Sequence, residues 1–274
     1  MPTIAFATSL SEADARPFRH AVALALRSGH ELVTVHANPR REDISLPDPS
    51  PLLRRWGAPP EALRHRELAP SGEDDPVETV LATLRDVKPD LVVAGTHARV
   101  GTARVTVPSV AEGIARNAPV PTLLFPTTSR AFVDEASGTP ALARILVPVG
   151  DAALAERALG AAVALAELAA VDRATFMALR VGTWPGDTIL PSLQPGWAVE
   201  RVQVDGKLED KIVECSASAS LLVMATRGQD SVGDVLFGTH TERVLHRVDC
   251  PVLWVPLAAR GRADAAAKSP PEPR

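Results

Sequence analysis

The chain contains the same pattern of segments twice, and this repeat constrains the fold more than any other feature of the sequence. Residues 90–98 (DLVVAGTHA) align without gaps with residues 220–228 (SLLVMATRG), at a spacing of 130. In the same register, residues 121–126 (PTLLFP) align with residues 251–256 (PVLWVP). A repeat of this length predicts two copies of one domain rather than a single large core.

The opening segments of the two halves align at a longer spacing. Residues 4–8 (IAFAT) match residues 145–149 (ILVPV) at a spacing of 141, so the first half carries about 11 extra residues. We place them in the Pro- and Arg-rich segment 38–66. The predicted boundaries are residues 1–128 for the first domain, 127–141 for the joint, 142–257 for the second domain and 258–274 for a disordered tail.

Apolar strands alternate with helices in both halves. Continuous runs of Val, Leu, Ile and Ala are typical of strands that are buried on both faces, as they are in parallel sheets. Strands are predicted at residues 3–8, 31–36, 63–68, 91–94 and 121–125, and at 144–149, 175–180, 199–204, 220–225 and 252–255. Helices are predicted at residues 11–28, 76–87 and 108–117, and at 152–169, 208–216 and 239–247. The fold class is therefore α/β, with two tandem doubly wound domains.

Composition excludes several classes of function. The formal charge is −4 with 4% aromatic residues, and no basic run with interleaved aromatics indicates a nucleic-acid partner. No stretch of 18 apolar residues and no signal peptide occurs, so no membrane partner is expected and the predicted location is the cytoplasm. Cys215 and Cys250 are far apart in apolar contexts, which favours buried free thiols.

The segment after the strand at 220–225 is the best candidate for a ligand site. Arg227 and Gly228 follow this strand, and after nine intervening residues come Gly238 and Thr239, where the predicted helix begins. The free N–H groups of a helix N-terminus bind anions, and glycines allow the backbone to approach a ligand closely. In parallel sheets this loop lies beyond the carboxyl ends of the strands, where ligands bind. The pattern predicts a phosphate site.

These residues resemble the universal stress proteins, in their tandem form. The resemblance is carried by residues 145–149 (ILVPV), the loop 225–239, the run 242–244 (ERV) and the closing segment 250–255 (CPVLWV), and it covers residues 3–126 and 143–256. It implies a five-stranded parallel sheet of order 3-2-1-4-5 in each half, flanked by helices. It also implies that many members bind ATP in this loop, whereas members without the motif do not.

The resemblance assigns the adenine nucleotide to the second half. The expected contacts are Val149, Asp151, Ala225, Arg227, Gly228, Gly238, Thr239, His240 and Thr241. Asp151 comes one residue later than the family's aspartate, so it either contacts the adenosine or only caps the helix that begins at Ala152. Gly228 and Thr239 either bind phosphate or form an ordinary turn and helix cap. Asp230 and Asp234 would repel a triphosphate unless Mg²⁺ intervenes or both carboxylates point outward.

The first half has lost more of the motif. Ala98 and Pro108 stand where the second and third loop glycines belong, and proline has no N–H to donate. No aspartate directly follows the opening strand, and His97 is interpreted as an ordinary loop residue. We therefore expect the first half to bind nucleotide poorly.

The predicted function is that of a stress-response protein that binds ATP, with or without Mg²⁺, in its second half. No catalytic or metal-binding residues are predicted, because no lysine stands in the phosphate loop and no general base is evident, so ATP hydrolysis would be weak at most. The alternatives are a nucleotide-free protein-interaction module and, less favoured, an adenine-nucleotide hydrolase. The closing strands either pair the two halves with each other or only cover their own cores. A homodimer and an unidentified protein partner are also considered.

Overall fold

The computed structural model describes residues 1–38, 40, 43–71, 75–96, 109–184, 193–226, 241 and 243–256. The elements of the first half are β1 (Thr3–Ala7), α1 (Ala15–Ser28), β2 (Glu31–Val35), α2 (Ser50–Arg55), β3 (His65–Leu68), α3 (Pro76–Val87), β4 (Leu91–Thr96), α4 (Val110–Asn117) and β5 (Thr122–Pro126). Those of the second half are β6 (Arg144–Pro148), α5 (Ala152–Leu168), β7 (Ala174–Val181), β8 (Trp197–Val204), α6 (Leu208–Ser216), β9 (Leu221–Thr226) and β10 (Val252–Pro256). Residues 241 and 243–245 are also helical. The predicted tail lies outside the described residues.

All ten strands form one continuous sheet. Their order is β3-β2-β1-β4-β5-β10-β9-β6-β7-β8. Each half therefore has the predicted order 3-2-1-4-5, with parallel pairing throughout. The halves meet through an antiparallel ladder in which Val252, Leu253 and Trp254 of β10 pair with Leu124, Leu123 and Thr122 of β5. The first of the two predicted roles for the closing strands is therefore confirmed.

The alternation of side chains along each strand divides the core into two layers. On one face Ile4 and Phe6 of β1 pack with α1, and the same layer continues across the seam to α5 of the second half. On the other face Ala5 and Ala7 pack towards α3 and α4, and this layer continues to α6 and the helical residues 243–245. Because both faces of the sheet are covered, the inner strands are largely apolar, whereas the edge strands β3 and β8 carry several exposed polar residues.

Two helical segments differ from the prediction. The helix predicted from Ser11 starts instead as a 3₁₀ turn at Glu12–Asp14, and α1 begins at Ala15. The reason is that the Asp14 carboxylate turns back towards the end of β1. The extra segment of the first half contains α2 and a second 3₁₀ turn at Pro60–Ala62, neither of which was predicted.

The joint between the halves is an ordered part of the core. Phe132, Val133 and Leu142 are at most 3% exposed, although the sequence indicated only an interruption of the apolar pattern. The buried His20 ring holds this segment: its Nε2 accepts hydrogen bonds from the N–H groups of Phe132 (3.0 Å) and Val133 (3.1 Å). Its Nδ1 donates to the carbonyl of Arg16 (2.8 Å), which sets the tautomer.

The joint is also tied to the second half and to the extra segment of the first. The Arg130 guanidinium donates to the carbonyls of Ser216, Ala217, Ala219 and Asp249, at 2.7 to 3.3 Å. On the other side, Trp56 Nε1 donates to the carbonyl of Glu135 (3.1 Å), and the Trp56 ring covers Gly138. The additional residues of the first half thus pack on the chain that connects the two halves.

The two cysteines differ in burial. Cys250 is fully buried, as predicted, and burial raises its pKa to about 11. Cys215 is free, as predicted, but only half-buried, so the predicted burial was wrong for this residue, which packs at the margin of the second core layer. Within the described residues, none of the helices combines the length and apolarity needed to cross a bilayer.

Candidate functional site

Each half has one point at which the strand order reverses. In the first half the chain leaves β1 towards β2 on one side and returns to β4 on the other, and in the second half β6 and β9 are related in the same way. Crevices beyond the carboxyl ends of such strand pairs are the ligand sites of open α/β sheets. The protein therefore has two equivalent positions for a ligand, one per half.

The two positions differ in how far the central strands pair. In the first half the ladder between β1 and β4 runs from Ile4↔Leu91 to Ala7↔Ala94. In the second half the ladder between β6 and β9 consists of Ile145↔Leu221 and Leu146↔Leu222 alone. Pro148, at the end of β6, has no N–H with which to continue it. Beyond Leu146 and Leu222, the backbone groups of β6 and β9 therefore do not pair with each other.

The turn after β6 contains two of the predicted nucleotide contacts. Val149 is buried, and its N–H donates to the carbonyl of Leu179 (2.7 Å). Asp151 is the N-cap of α5: its Oδ1 accepts the N–H of Leu154 at 2.9 Å. One of the two roles predicted for Asp151, the helix cap, is thus present in the structure, and its contact with adenosine stays a prediction. Between them lies Gly150, where an added Cβ would meet none of the described residues within 4 Å.

Arg180 is a component of this position that the sequence analysis missed. It lies near the end of β7, and its Nη1 donates to the carbonyls of Val149 (3.0 Å) and Gly150 (2.6 Å). Its Nε donates to the carbonyl of Thr183 (2.8 Å). The guanidinium braces the turn after β6 and places a permanent positive charge beside the Asp151 segment. A charged residue at the carboxyl end of a buried strand was the signal that could have identified it.

The other predicted contacts fall in two groups. Ala225 lies half-buried near the end of β9, and Thr241 is buried in the helical segment that follows the loop. Both therefore flank the predicted phosphate loop. The remaining predicted contacts lie outside the described residues: Arg227, Gly228, Gly238, Thr239 and His240. The two acidic loop residues, Asp230 and Asp234, also lie outside them.

The equivalent position of the first half contains a cavity of about 260 Å³. Its walls are the residues after β1 and β2, the end of β4 and the first turns of α3 and α4. Asp14, which the sequence analysis also missed, stands behind it: its Oδ2 accepts from Thr8 Oγ1 (2.9 Å), and from the N–H (2.8 Å) and Oγ (2.9 Å) of Ser9. Although no aspartate directly follows β1 in the sequence, the carboxylate of Asp14 thus binds the residues at the end of β1.

Comparison with known proteins agrees with this architecture. A universal stress protein from Archaeoglobus fulgidus superposes with a TM-score of 0.65 at 17% identity, over 94% of this chain and 97% of that one. A protein of unknown function from Pseudomonas aeruginosa superposes with a TM-score of 0.62 at 14% identity, over 93% of this chain and 92% of that one. No curated protein sequence matches the chain.

A shorter universal stress protein, whose crystal structure is a complex with cAMP, matches 43% of this chain and 98% of its own length at 18% identity, with a TM-score of 0.31. The sequence model of the universal stress protein family matches residues 1–126 and 190–256, which together are more than half of the chain. The protein is therefore a member of the universal stress protein family, with the family's fold present twice in one chain.

Proposed function

We propose that the second half of this universal stress protein binds ATP at the carboxyl ends of β6 and β9, with little or no hydrolysis. The observation that carries the proposal is the short β6–β9 ladder, which stops at Leu146↔Leu222 and leaves the backbone beyond it unpaired between these strands. The Gly-containing sequence 227–239 follows β9 directly. A crevice between two strand ends, followed by a loop of small residues, suits an adenosine and its phosphates.

The charges around the turn after β6 are compatible with a nucleotide. Asp151 supplies carboxylate oxygens, which accept hydrogen bonds from sugar hydroxyls. Arg180 supplies a guanidinium that offsets the negative charge of Asp151 and favours a polyanion nearby. The open space beside Gly150 provides room for a ligand at the same place.

The proposed absence of efficient hydrolysis follows from the side chains near this crevice. Residues 225–241 contain no lysine that could stabilise a transferring phosphoryl group. Asp151 is used as a helix cap, and so is poorly placed to activate a water molecule. We therefore expect ATP to act as a bound ligand that sets the state of the protein. We also propose that residues 1–128 and 142–257 act as two domains.

A titration with a fluorescent ATP analogue tests this proposal. The first variant is Gly238→Pro, which gives the second-half loop the residue that the first half carries at the aligned position, Pro108. Saturable binding by the wild-type protein that is lost in Gly238→Pro is the expected result. The matched control is Pro108→Gly, which should leave the affinity of the second half unchanged.

Two outcomes would contradict the proposal. One is the absence of saturable binding to the wild-type protein at every Mg²⁺ concentration, which would favour the alternative of a nucleotide-free interaction module. The other is equal binding by the wild-type protein and Gly238→Pro, with circular dichroism showing both to be folded. Steady release of ADP or AMP would instead indicate an enzyme.

A further inference from the structure

The cavity of the first half has mostly apolar walls. Val80, Ala94, Ala111 and Ile114 line it and are all less than 7% exposed. Its volume of about 260 Å³ lies between that of an apolar cavity holding benzene, about 150 Å³, and that of pockets for drug-sized ligands, roughly 300–1,000 Å³. The space therefore suits a compact ligand of about two fused rings.

The hydroxyl groups of this cavity donate to buried carboxylates. The hydroxyls of Thr8 and Ser9 donate to Asp14 Oδ2, both at 2.9 Å. The hydroxyl of Ser109 donates to Glu112 Oε1 at 3.0 Å. Thr8 Oγ1 also accepts the N–H of Leu10, and Ser109 Oγ accepts the N–H of Glu112, so each of these two hydroxyls has one lone pair, and no proton, left for a ligand.

His36 adds an acceptor of the same kind. Its Nδ1 donates to the carbonyl of Thr8 at 2.9 Å, so in the neutral ring Nε2 carries a lone pair. His36 lines the cavity, and Nε2 has no hydrogen-bond partner among the described residues. A ligand that donates one hydrogen bond would satisfy this nitrogen.

The buried carboxylates next to the cavity disfavour an anion. The carboxylates of Asp14 and Glu112 are 3% and 5% exposed, and they accept the hydroxyl protons described above. The described residues that line the cavity include neither lysine nor arginine. A phosphate or carboxylate ligand would therefore meet lone pairs and buried negative charge, and the described lining offers it only the main-chain N–H groups at the start of α4.

The geometry points to a second ligand site, in the first half, for a compact, uncharged and mostly apolar molecule that carries one N–H or O–H donor. The donor faces His36 Nε2, and the apolar part packs against Val80, Ala111 and Ile114. This site differs from the proposed nucleotide site in the half that contains it, in charge and in the direction of its hydrogen bonds. The two halves of the chain would thus bind chemically different ligands.

Calorimetry with three indoles tests the site on the full chain. Indole carries an N–H donor, 1-methylindole has the same rings without the donor, and indole-3-carboxylate adds a negative charge. Indole is expected to bind with one molecule per chain, and 1-methylindole about five-fold more weakly because one hydrogen bond is lost. Indole-3-carboxylate should show no detectable heat of binding.

Two variants locate the binding in the cavity. Ala111→Leu places extra carbon atoms in the cavity and should abolish indole binding, whereas the matched control Ala82→Leu, on the exposed face of α3, should not. His36→Leu removes the acceptor without filling the space, so it should lower the affinity for indole to that for 1-methylindole. Thermal unfolding of each variant confirms that it is folded.

The inference is overturned if indole does not bind, or if it binds equally well to Ala111→Leu. It is also overturned if indole-3-carboxylate binds as tightly as indole. ATP binding by the second half is measured on the same variants and is expected to be unchanged, so the two proposals stand or fall separately.

Discussion

Replacement of His20 by glutamine should make the protein less sensitive to acid. His20 is fully buried, and its Nε2 accepts from the two N–H groups of Phe132 and Val133. Protonation would place a hydrogen on Nε2, which would then face the N–H groups of Phe132 and Val133 instead of accepting from them. Burial therefore lowers the pKa of His20 from the usual 6.5 to about 3, with the charges of Arg19 and Arg16 contributing in the same direction. Glutamine can accept at nearly the same place through its side-chain oxygen but does not titrate.

The direction of the effect follows from where each state binds the proton. In the unfolded chain His20 takes up a proton near pH 6.5, whereas in the folded protein it does so only near pH 3. Between these values the unfolded state binds more protons, so stability falls as the pH falls. From pH 7.5 to pH 5 the loss due to this one residue is roughly 2 kcal/mol, and the full gap corresponds to roughly 5 kcal/mol.

Urea unfolding of the wild-type protein and His20→Gln at both pH values measures this difference. Carboxylates that titrate in both proteins cancel, so the wild-type protein should lose roughly 2 kcal/mol more than His20→Gln on going to pH 5. An NMR titration of the His20 ring in the folded protein should show no transition above pH 4. Equal losses in the two proteins, or a ring that titrates near pH 6.5, would refute the reasoning.

Three further predictions concern the joint and the thiols. Arg130→Ala should lower the free energy of unfolding by ~2–3 kcal/mol, because four carbonyls of the second half lose a charged donor. In urea unfolding, the stability of Arg130→Lys should lie between that of Arg130→Ala and that of the wild type. An unchanged stability of Arg130→Ala would contradict a stabilising role for these hydrogen bonds. Gly138→Ala should destabilise the protein by ~1–3 kcal/mol more than Gly29→Ala in the same assay. Both glycines have positive φ, but only at Gly138 would an added Cβ lie 2.4 Å from the Trp56 ring. Equal losses of unfolding free energy in the two variants would contradict that contact. Under native conditions Cys215 should react with a thiol reagent before Cys250, because Cys250 is buried and burial raises its pKa to about 11. Mass spectrometry follows the labelling, and simultaneous labelling of both cysteines would contradict the burial of Cys250.

The sequence predicted most of the fold because burial on both faces leaves a direct trace in it. Segments such as Leu91–Thr96 and Leu221–Thr226 are largely apolar at successive positions, which is typical of strands in a parallel sheet covered on both sides. The pairing of β5 with β10 stayed open in the sequence analysis because a closing strand buries the same side chains whether it pairs or only covers its own core. Helix α2 was missed because it is only six residues long and because Pro49 and Pro51, at its start, are also typical of a loop.

The residues that hold the turn after β6 and the joint between the halves could not be predicted in the same way. Besides local partners, the side chains of Arg180, Arg130 and His20 bind backbone carbonyl or amide groups that lie 30, 87 and 113 residues away in the chain, respectively. Backbone groups are present at every position, so such partners leave no trace in sequence spacing. Asp14 was missed for a related reason, because the sequence analysis considered only the positions directly after β1.

The most direct test of the central claim, that ATP occupies the second half, is photolabelling with 8-azido-ATP followed by peptide mapping. The account predicts label in peptides containing residues 149–151 or 225–241, and protection of those peptides by excess ATP. Label confined to peptides containing residues 7–9 or 95–109, at the equivalent position of the first half, would contradict it, and so would label that excess ATP does not displace.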